Sequence, residues 1–109
     1  MDEMVILYTT WPDADTAERA AQEVVGAGLA ACANILSPMT SVYRWKGKVE
    51  RASEAVMILK TSTARAAGLR DRLAGLHPYE TPAIVAIAIL TPASWLPFLL
   101  WIEEQTAAG

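Results

Sequence analysis

An unbroken apolar run, Ala83 to Leu90 (AIVAIAIL), constrains the fold of this chain more than any other stretch. The run is far shorter than the roughly 20 residues that a helix needs to cross a bilayer. It is rich in isoleucine and ends at Thr91-Pro92, a composition and a boundary that predict a strand. Because no position in it is polar, we expect a central strand that is covered on both faces.

The segments before this run show the periodicities of two strands, a helix and a hairpin. The first strand runs from Met4 to Thr10, and the helix after it is opened by an Asp15/Glu18 capping box and ended by Gly26 and Gly28. The second strand runs from Leu29 to Leu36 and is interrupted by Ser37-Pro38. A long hairpin follows from Ser41 to Leu59, with its turn at Lys46-Gly47-Lys48.

Two more helices complete the pattern. The first has an apolar stripe at Leu69, Leu73 and Leu76, and Thr61, Ser62 and Thr63 are its candidate caps. The second is predicted over Trp95 to Thr106, with Ser94 as its cap. The resulting order, β-α-β-β-α-β plus a C-terminal helix, predicts an α+β, ferredoxin-like domain over residues 1–109, with two helices on one face of an antiparallel sheet. This fold does not decide function.

The composition indicates an oligomer. Apolar residues make up 53% of the 109 positions, and a domain of this size has too little interior to bury them all. Aromatic residues are enriched at interfaces, so Tyr43, Trp45 and Trp101 are our candidates for contacts between subunits. A net charge of −3 gives no electrostatic reason to expect that the protein binds nucleic acid. The single cysteine, the lack of a basic n-region and the lack of a long apolar segment predict a cytoplasmic protein without a membrane span.

The stretch His77-Pro78-Tyr79-Glu80-Thr81-Pro82 is the best candidate for a site. Two prolines stiffen the backbone, which presents an imidazole, a phenol and a carboxylate. One interpretation is a rigid turn with a hydrogen-bonded histidine; the other is a binding site on a connector.

Cys32 lies in a small apolar setting, and three polar residues, Asn34, Glu54 and Lys60, lie in or beside apolar strand patterns. Cys32 is expected to be a buried, unreactive thiol, with a soft metal ligand as the alternative. Lys60 would either pair with a carboxylate or form a cationic pocket for an anionic ligand. No catalytic triad, phosphate loop or pair of catalytic acids stands out, so we expect no enzyme.

Several motifs together resemble the CutA divalent-cation tolerance proteins. They are Cys32-Ala33-Asn34-Ile35, Ser41-x-Tyr43-x-Trp45-x-Gly47-Lys48, Ile58-Leu59-Lys60-Thr61, His77-Pro78-Tyr79-Glu80-x-Pro82 and Trp101-Ile102. The resemblance covers about Val5 to Trp101. It implies a ferredoxin-like protomer, a tight homotrimer, a cytoplasmic location, and a link to copper and other divalent cations. The trimers resemble those of PII signalling proteins, which implies ligand sensing.

The resemblance also implies a site between subunits. A weakly bound divalent metal such as copper would face His77, Glu80 and Cys32, whereas Asn34, Lys60 and Tyr79 would line a ligand cleft. Thr9, Leu76 and Ala83 stand where other members offer potential ligands, which weakens a tight copper site. The alternative function is a PII-like sensor of an anionic metabolite. A third, a hydrolase of the acylphosphatase type, lacks an arginine-bearing phosphate loop between Thr10 and Asp15.

Overall fold

The computed structural model describes residues 3–107. Its elements, in chain order, are β1 (Met4–Trp11), α1 (Ala14–Gly26), β2 (Cys32–Trp45), β3 (Lys48–Ser62), α2 (Thr63–Leu76), β4 (Ile84–Ala88) and α3 (Leu96–Gln105), with a 3-10 turn at Thr91–Ala93. This order and the antiparallel sheet confirm the predicted ferredoxin-like α+β fold with an extra C-terminal helix.

The sheet has the strand order β2-β3-β1-β4, and every neighbouring pair is antiparallel. The prediction of a central strand for Ala83–Leu90 is wrong, because β4 pairs only with β1 and lies at the edge. Nor is β4 covered on both faces, since Val85 and Ile87 are 53% and 49% exposed. Within the protomer only Ile84 of this strand packs against the helix-covered core, and the other four residues of β4 are exposed.

The first two helices, α1 and α2, cover one face of the sheet. Alternate residues of the strands point towards α1 and α2, and the buried cluster between these layers consists of Leu7, Trp11, Ala17, Ala20, Ala21, Val24, Ala30, Ala55, Met57, Leu59, Leu69 and Leu73. Helix α1 begins two residues earlier than predicted. Asp13, not Asp15, is its cap, because the Asp13 carboxylate accepts a 2.8 Å hydrogen bond from the Thr16 N–H.

The opposite face, which we call the open face, presents Ile6, Tyr8, Ile58, Lys60, Val85 and Ile87. Helix α3 covers one end of it, where Leu99 and Ile102 pack against Met4 and Ala31. Ser94 does not cap this helix, because its hydroxyl donates to the Leu90 carbonyl at 2.7 Å. None of the candidate caps of α2 makes a side-chain cap bond either, since Thr61 and Thr63 donate to carbonyls of other segments.

The β2–β3 hairpin is longer and more regular than predicted. Ser37-Pro38 does not end β2; the strand continues through it with a shift of register between Leu36 and Met39. The turn contains only Lys46 and Gly47, with φ of 50° and 79°. Two consecutive positive φ values are typical of the tight turns that match the twist of paired strands.

Candidate functional site

The His77–Pro82 stretch is a rigid turn fastened to the end of β1. His77 follows directly after α2 and is only 8% exposed. Its ring stacks on the ring of Trp11, with the centroids 4.1 Å apart. The Nε2 atom donates to the Thr10 carbonyl at 2.7 Å, and Nδ1 accepts from the Tyr79 N–H at 3.1 Å. The first of the two interpretations of this stretch therefore describes the protomer.

The two hydrogen bonds decide what the imidazole of His77 can do. A carbonyl only accepts and a backbone N–H only donates, so the ring carries its proton on Nε2. A metal ion needs a ring nitrogen with a free lone pair. In this arrangement Nδ1 uses its lone pair on Tyr79, and Nε2 has none to give. His77 would have to break one of these bonds to become a metal ligand.

Tyr79 connects the turn to the hairpin. Its hydroxyl donates to Oε2 of Glu54 at 2.9 Å. Burial, followed by the hydrogen bond to Glu54 and the negative charge of that carboxylate, raises the pKa of Tyr79 to about 12. The phenol is thus neutral at ordinary pH and holds the Glu54 carboxylate in place.

Between the turn and the hairpin lies an open cavity of about 590 Å³, which we call the aromatic cavity. Its side chains are three aromatic rings, two carboxylates and five small residues: Tyr43, Trp45, Tyr79, Glu54, Glu80, Thr10, Ser41, Ala52, Thr81 and Ala83. The sequence-predicted residues Tyr79 and Glu80 therefore share a site with Tyr43 and Trp45, which we had predicted as subunit contacts.

A second polar group lies on the open face, at the far end of the hairpin from the cavity. Cys32 is directly opposite Lys60 in the β2–β3 register, and the Lys60 ammonium donates to Oδ1 of Asn34. No carboxylate forms a salt bridge with Lys60 among the residues that the structure describes. Cys32 is partly exposed in the protomer, not buried as expected.

The structure brings Asn34 and Lys60 together, and separately Tyr79 and Glu80. Glu54, which Tyr79 contacts, and Lys60 lie six residues apart on one strand, which corresponds to roughly 20 Å. Residues 3–107 contain no group of three or more metal-ligating side chains. Cys32 and Glu80 therefore cannot share an ion within a single protomer.

One of the positions at which this chain departs from the CutA pattern, Thr9, has a structural role. Thr9 is fully buried; its hydroxyl donates to the Met57 carbonyl at 2.8 Å and accepts from Nε1 of Trp11 at 2.7 Å. This bond orients the indole on which His77 stacks. Thr9 thus holds the turn through Trp11.

Two features of the site were missed from the sequence. Trp11, which follows the predicted first strand and to which we had assigned no role, is the platform for His77. Glu54, which we had noted only as a polar residue in or beside an apolar strand pattern, accepts a hydrogen bond from the Tyr79 hydroxyl. The alternation of the hairpin could have placed Glu54 on the face of Tyr43 and Trp45, but no local pattern could have brought the turn to that face.

Comparison with known proteins places this architecture in a family. Residues 5–105 match the family described as CutA1 divalent ion tolerance protein. The divalent-cation tolerance protein CutA of Archaeoglobus fulgidus is 42% identical over 98 residues, which cover 90% of this chain and 93% of the relative. The divalent-cation tolerance protein CutA of Thermus thermophilus is 38% identical over 106 residues, which cover 97% of this chain and 99% of the relative. The human protein CutA is 35% identical over 91% of this chain, but the chain spans only about half (54%) of that relative's length.

The solved structures agree with the sequence comparison. The divalent ion tolerance protein CutA1 of Ehrlichia chaffeensis superposes with a TM-score of 0.91 at 34% identity, over 99% of both chains. The CutA of Archaeoglobus fulgidus, described as periplasmic, superposes with a TM-score of 0.88 at 40% identity, over 94% of this chain and 98% of that chain. The family description, the relatives and the folds coincide over nearly all of residues 3–107. This chain therefore belongs to the CutA1 divalent ion tolerance family.

Proposed function

We propose that the chain contributes to tolerance of divalent cations, copper among them, as a subunit of a homotrimer and without catalysing a reaction. The observation that carries the assembly is the open face. Its large apolar side chains, Val85 and Ile87 among them, are uncovered in a protomer whose other face is well packed. Trp101 adds to this surplus on α3, and Tyr43 and Trp45 add to it on the hairpin.

The strand edges support the same assembly. Both β2 and β4 lie at edges of the sheet, so each has a row of backbone N–H and C=O groups that strand pairing with another copy would satisfy. A contact between two different edges closes into a ring when the rotation allows it, and three copies make the smallest such ring. An obligate interface of this kind should bury well over about 2,000 Å² in total.

Within this proposal, metal binds weakly and between subunits. Glu80 is exposed and has a free carboxylate, whereas His77 must first release Thr10 or Tyr79. Cys32 lies too far from Glu80 to act on the same ion unless it comes from another copy. The donor set of one protomer therefore does not fit a tight, closed metal site.

Light scattering tests the assembly. At micromolar concentration we expect three times the chain mass of 11.8 kDa. Ile87→Asp places a charge on the open face and should release monomers. Gln22→Asp places the same charge on the exposed side of α1 and should leave the mass unchanged. A monomeric wild-type protein, or a trimeric Ile87→Asp variant, would contradict the proposed interface.

Calorimetry with copper and zinc tests the metal. We expect weak binding that Glu80→Gln and Cys32→Ser both reduce and that Glu18→Gln, on the exposed side of α1, does not. Binding that neither substitution changes would place the metal elsewhere on the protein.

The alternative, a PII-like trimer that senses an anionic metabolite and acts on a partner protein, is favoured by one observation. Lys60 bonds to the neutral amide of Asn34 and not to a carboxylate, so its charge is available to an anion. A thermal-shift screen of nucleotides and carboxylic acids checks this. A ligand that stabilises wild-type and Lys48→Met protein but not Lys60→Met would support the alternative. If no anion raises the melting temperature, the alternative fails.

We also propose a cytoplasmic location, because a lone free thiol is typical of a reducing compartment. The name of the Archaeoglobus relative assigns that protein to the periplasm, so cell fractionation of the native protein is the deciding measurement. Recovery in the periplasmic or membrane fraction would overturn this part of the proposal.

A further inference from the structure

We propose that a pocket between α2 and β4 binds a short-chain monocarboxylic acid. The pocket has a volume of about 270 Å³ and lies on the helix-covered side of the sheet. We call it the α2–β4 pocket. One of its walls is a side of α2 that is formed by Thr63, Ala66, Ala67 and Arg70, and the other wall is the edge strand β4.

The pocket exists because small side chains stand where α2 passes over the edge of the sheet. Ala86 is opposite Leu7 in the β1–β4 register, so Ala86 and Ile84, two residues before it, face the helices. Leu7 is buried and closes the bottom of the pocket. Ala67 and Ala86 end in a methyl group and are exposed, so the space above β4 is left unfilled.

The charge of the pocket indicates an anionic ligand. Arg70 is the one charged residue among the described residues that line it. Its Nε donates to the Asp71 carboxylate at 2.8 Å, while its terminal N–H groups make no hydrogen bond within residues 3–107. The Thr63 hydroxyl donates to the Glu3 carbonyl at 2.5 Å and has no further proton to give. The free N–H groups of a guanidinium bind carboxylates through strong, charge-assisted hydrogen bonds.

The rest of the pocket favours a hydrocarbon chain over a second polar group. Leu7, Ile84 and the alanines offer only hydrocarbon, so a polar group buried against them would lack hydrogen-bond partners. Pockets for drug-sized molecules have about 300–1,000 Å³, and a volume of about 270 Å³ therefore suits a smaller ligand. A monocarboxylate with a short hydrocarbon chain meets these conditions, whereas phosphate and dicarboxylates do not.

The proposed assembly leaves this pocket accessible. Another copy would cover the open face, and the α2–β4 pocket lies on the opposite side of the sheet. Pairing of β4 with a neighbouring strand uses the backbone N–H and C=O groups, which point along the sheet. The paired strand would lie about 4.8 Å beyond β4. It would form an outer wall of the pocket, because side chains stand roughly perpendicular to a sheet.

This inference goes beyond the proposed function and does not depend on it. The anion considered there would bind at Lys60, on the open face, whereas the carboxylate binds at Arg70, on the helix-covered side. The two sites can therefore fail separately. Lys60→Met should not change the affinity for the monocarboxylate, and Arg70→Met should not change the affinity for a ligand at Lys60.

Titration calorimetry of the wild-type protein with hexanoate tests the proposal. Hexanol has the same chain without the charge, and acetate has the charge without the chain. We expect hexanoate to bind and each control to bind at least about tenfold more weakly, because each control lacks one of the two interactions. No hexanoate binding at millimolar concentration, or equal affinity for hexanoate and either control, would overturn the proposal.

Two substitutions locate the site. Arg70→Met removes the guanidinium and Ala67→Leu fills the space for the chain, and each should weaken hexanoate binding by about tenfold. Both residues are exposed, so neither substitution threatens the fold. Arg72→Met is the matched control, because Arg72 pairs with Glu23 of α1 and does not line the pocket. Unchanged affinity of either Arg70→Met or Ala67→Leu would mean that hexanoate binds elsewhere and that the proposal is wrong.

Discussion

The two faces of the sheet are made by the same strands and differ in almost everything else. On the helix-covered face, residues such as Leu7, Met57 and Leu59 are at most 1% exposed and pack against α1 and α2. On the open face, Val85 and Ile87 are about half exposed, and Lys60 stands among them without a carboxylate partner in the described chain.

The difference shows how a short chain divides its apolar residues. Strand side chains alternate between faces, so neighbouring residues along β3 or along β4 lie on opposite faces of the sheet and have different surroundings. The chain's own helices cover the first face. The second face is equally apolar along β4 but has only α3 at one end. Along β4 the protomer itself buries little, since Ile84 is partly buried and the four residues after it are exposed.

The largest expected effect is a difference in the free energy of unfolding between substitutions at two adjacent residues of β3. In the Ile87→Asp background, which we expect to be monomeric, Leu59→Ala should lower the free energy of unfolding by about 2–5 kcal/mol, because Leu59 is fully buried. Ile58→Ala, on the open face, should cost less than about 1.5 kcal/mol there, because Ile58 is only partly buried. Urea denaturation of both double variants measures the difference.

A similar loss for both residues would break the comparison between the faces. It would mean that the open face is packed within the protomer, and the main argument for assembly would then fail. In the wild-type background the Ile58→Ala effect should instead grow with protein concentration, since dissociation and unfolding are linked in an oligomer.

A smaller effect is expected where the His77 turn meets the end of β1. His77→Phe keeps a ring stacked on Trp11 but loses the hydrogen bonds to the Thr10 carbonyl and the Tyr79 N–H. An unpaired polar group of this kind costs about 1–3 kcal/mol. Chemical denaturation should show this loss in both the wild-type and the Ile87→Asp background. A fully stable His77→Phe protein would show that the two hydrogen bonds contribute little, and His77 would be freer to bind metal.

The smallest expected effect is a rise in the pH at which the Tyr79 hydroxyl ionises. Ultraviolet absorbance should show one of the three tyrosines ionising near pH 12, later than a free tyrosine. Because the folded pKa of Tyr79 is raised, its contribution to stability is complete below pH 10 and is lost as the pH rises from 10 through 12. Glu54→Gln should lower the pKa of Tyr79, since it removes a negative charge beside the phenol. If all three tyrosines ionise together near pH 10, the pH at which a free tyrosine ionises, the contact between Tyr79 and Glu54 would be contradicted.

Much of the fold follows from the sequence because it is encoded locally. The alternation in Ser41–Trp45 and the turn at Lys46-Gly47 predict the hairpin, and the leucine stripe at Leu69 and Leu73 predicts α2. The position of Ala83–Leu90 in the sheet was predicted wrongly, because an unbroken apolar run does not distinguish a central strand from an edge strand whose outer face lies uncovered in the protomer.

The candidate site was less predictable, because it depends on contacts between distant segments. Tyr79 and Glu80 were found from their stiff, proline-flanked turn. The partners Trp11, Thr10 and Glu54 are 25 to 67 residues away from that turn, and the sequence holds no mark of these contacts. The sequence left two alternatives open for Lys60, a carboxylate partner or a cationic pocket, and gave no sign of its bond to Asn34 on the neighbouring strand.

The position of β1 in the sheet has a consequence for synthesis. This strand is the first to be made, yet its two partners, β3 and β4, end at Ser62 and Ala88. At about 5–20 residues per second, β1 remains without its second partner for roughly 4–15 s after it has been translated. During that interval an apolar strand with free backbone groups is accessible to other nascent chains on the same messenger. Chains that emerge side by side could therefore meet through their unpaired strands before any one of them has closed its own sheet.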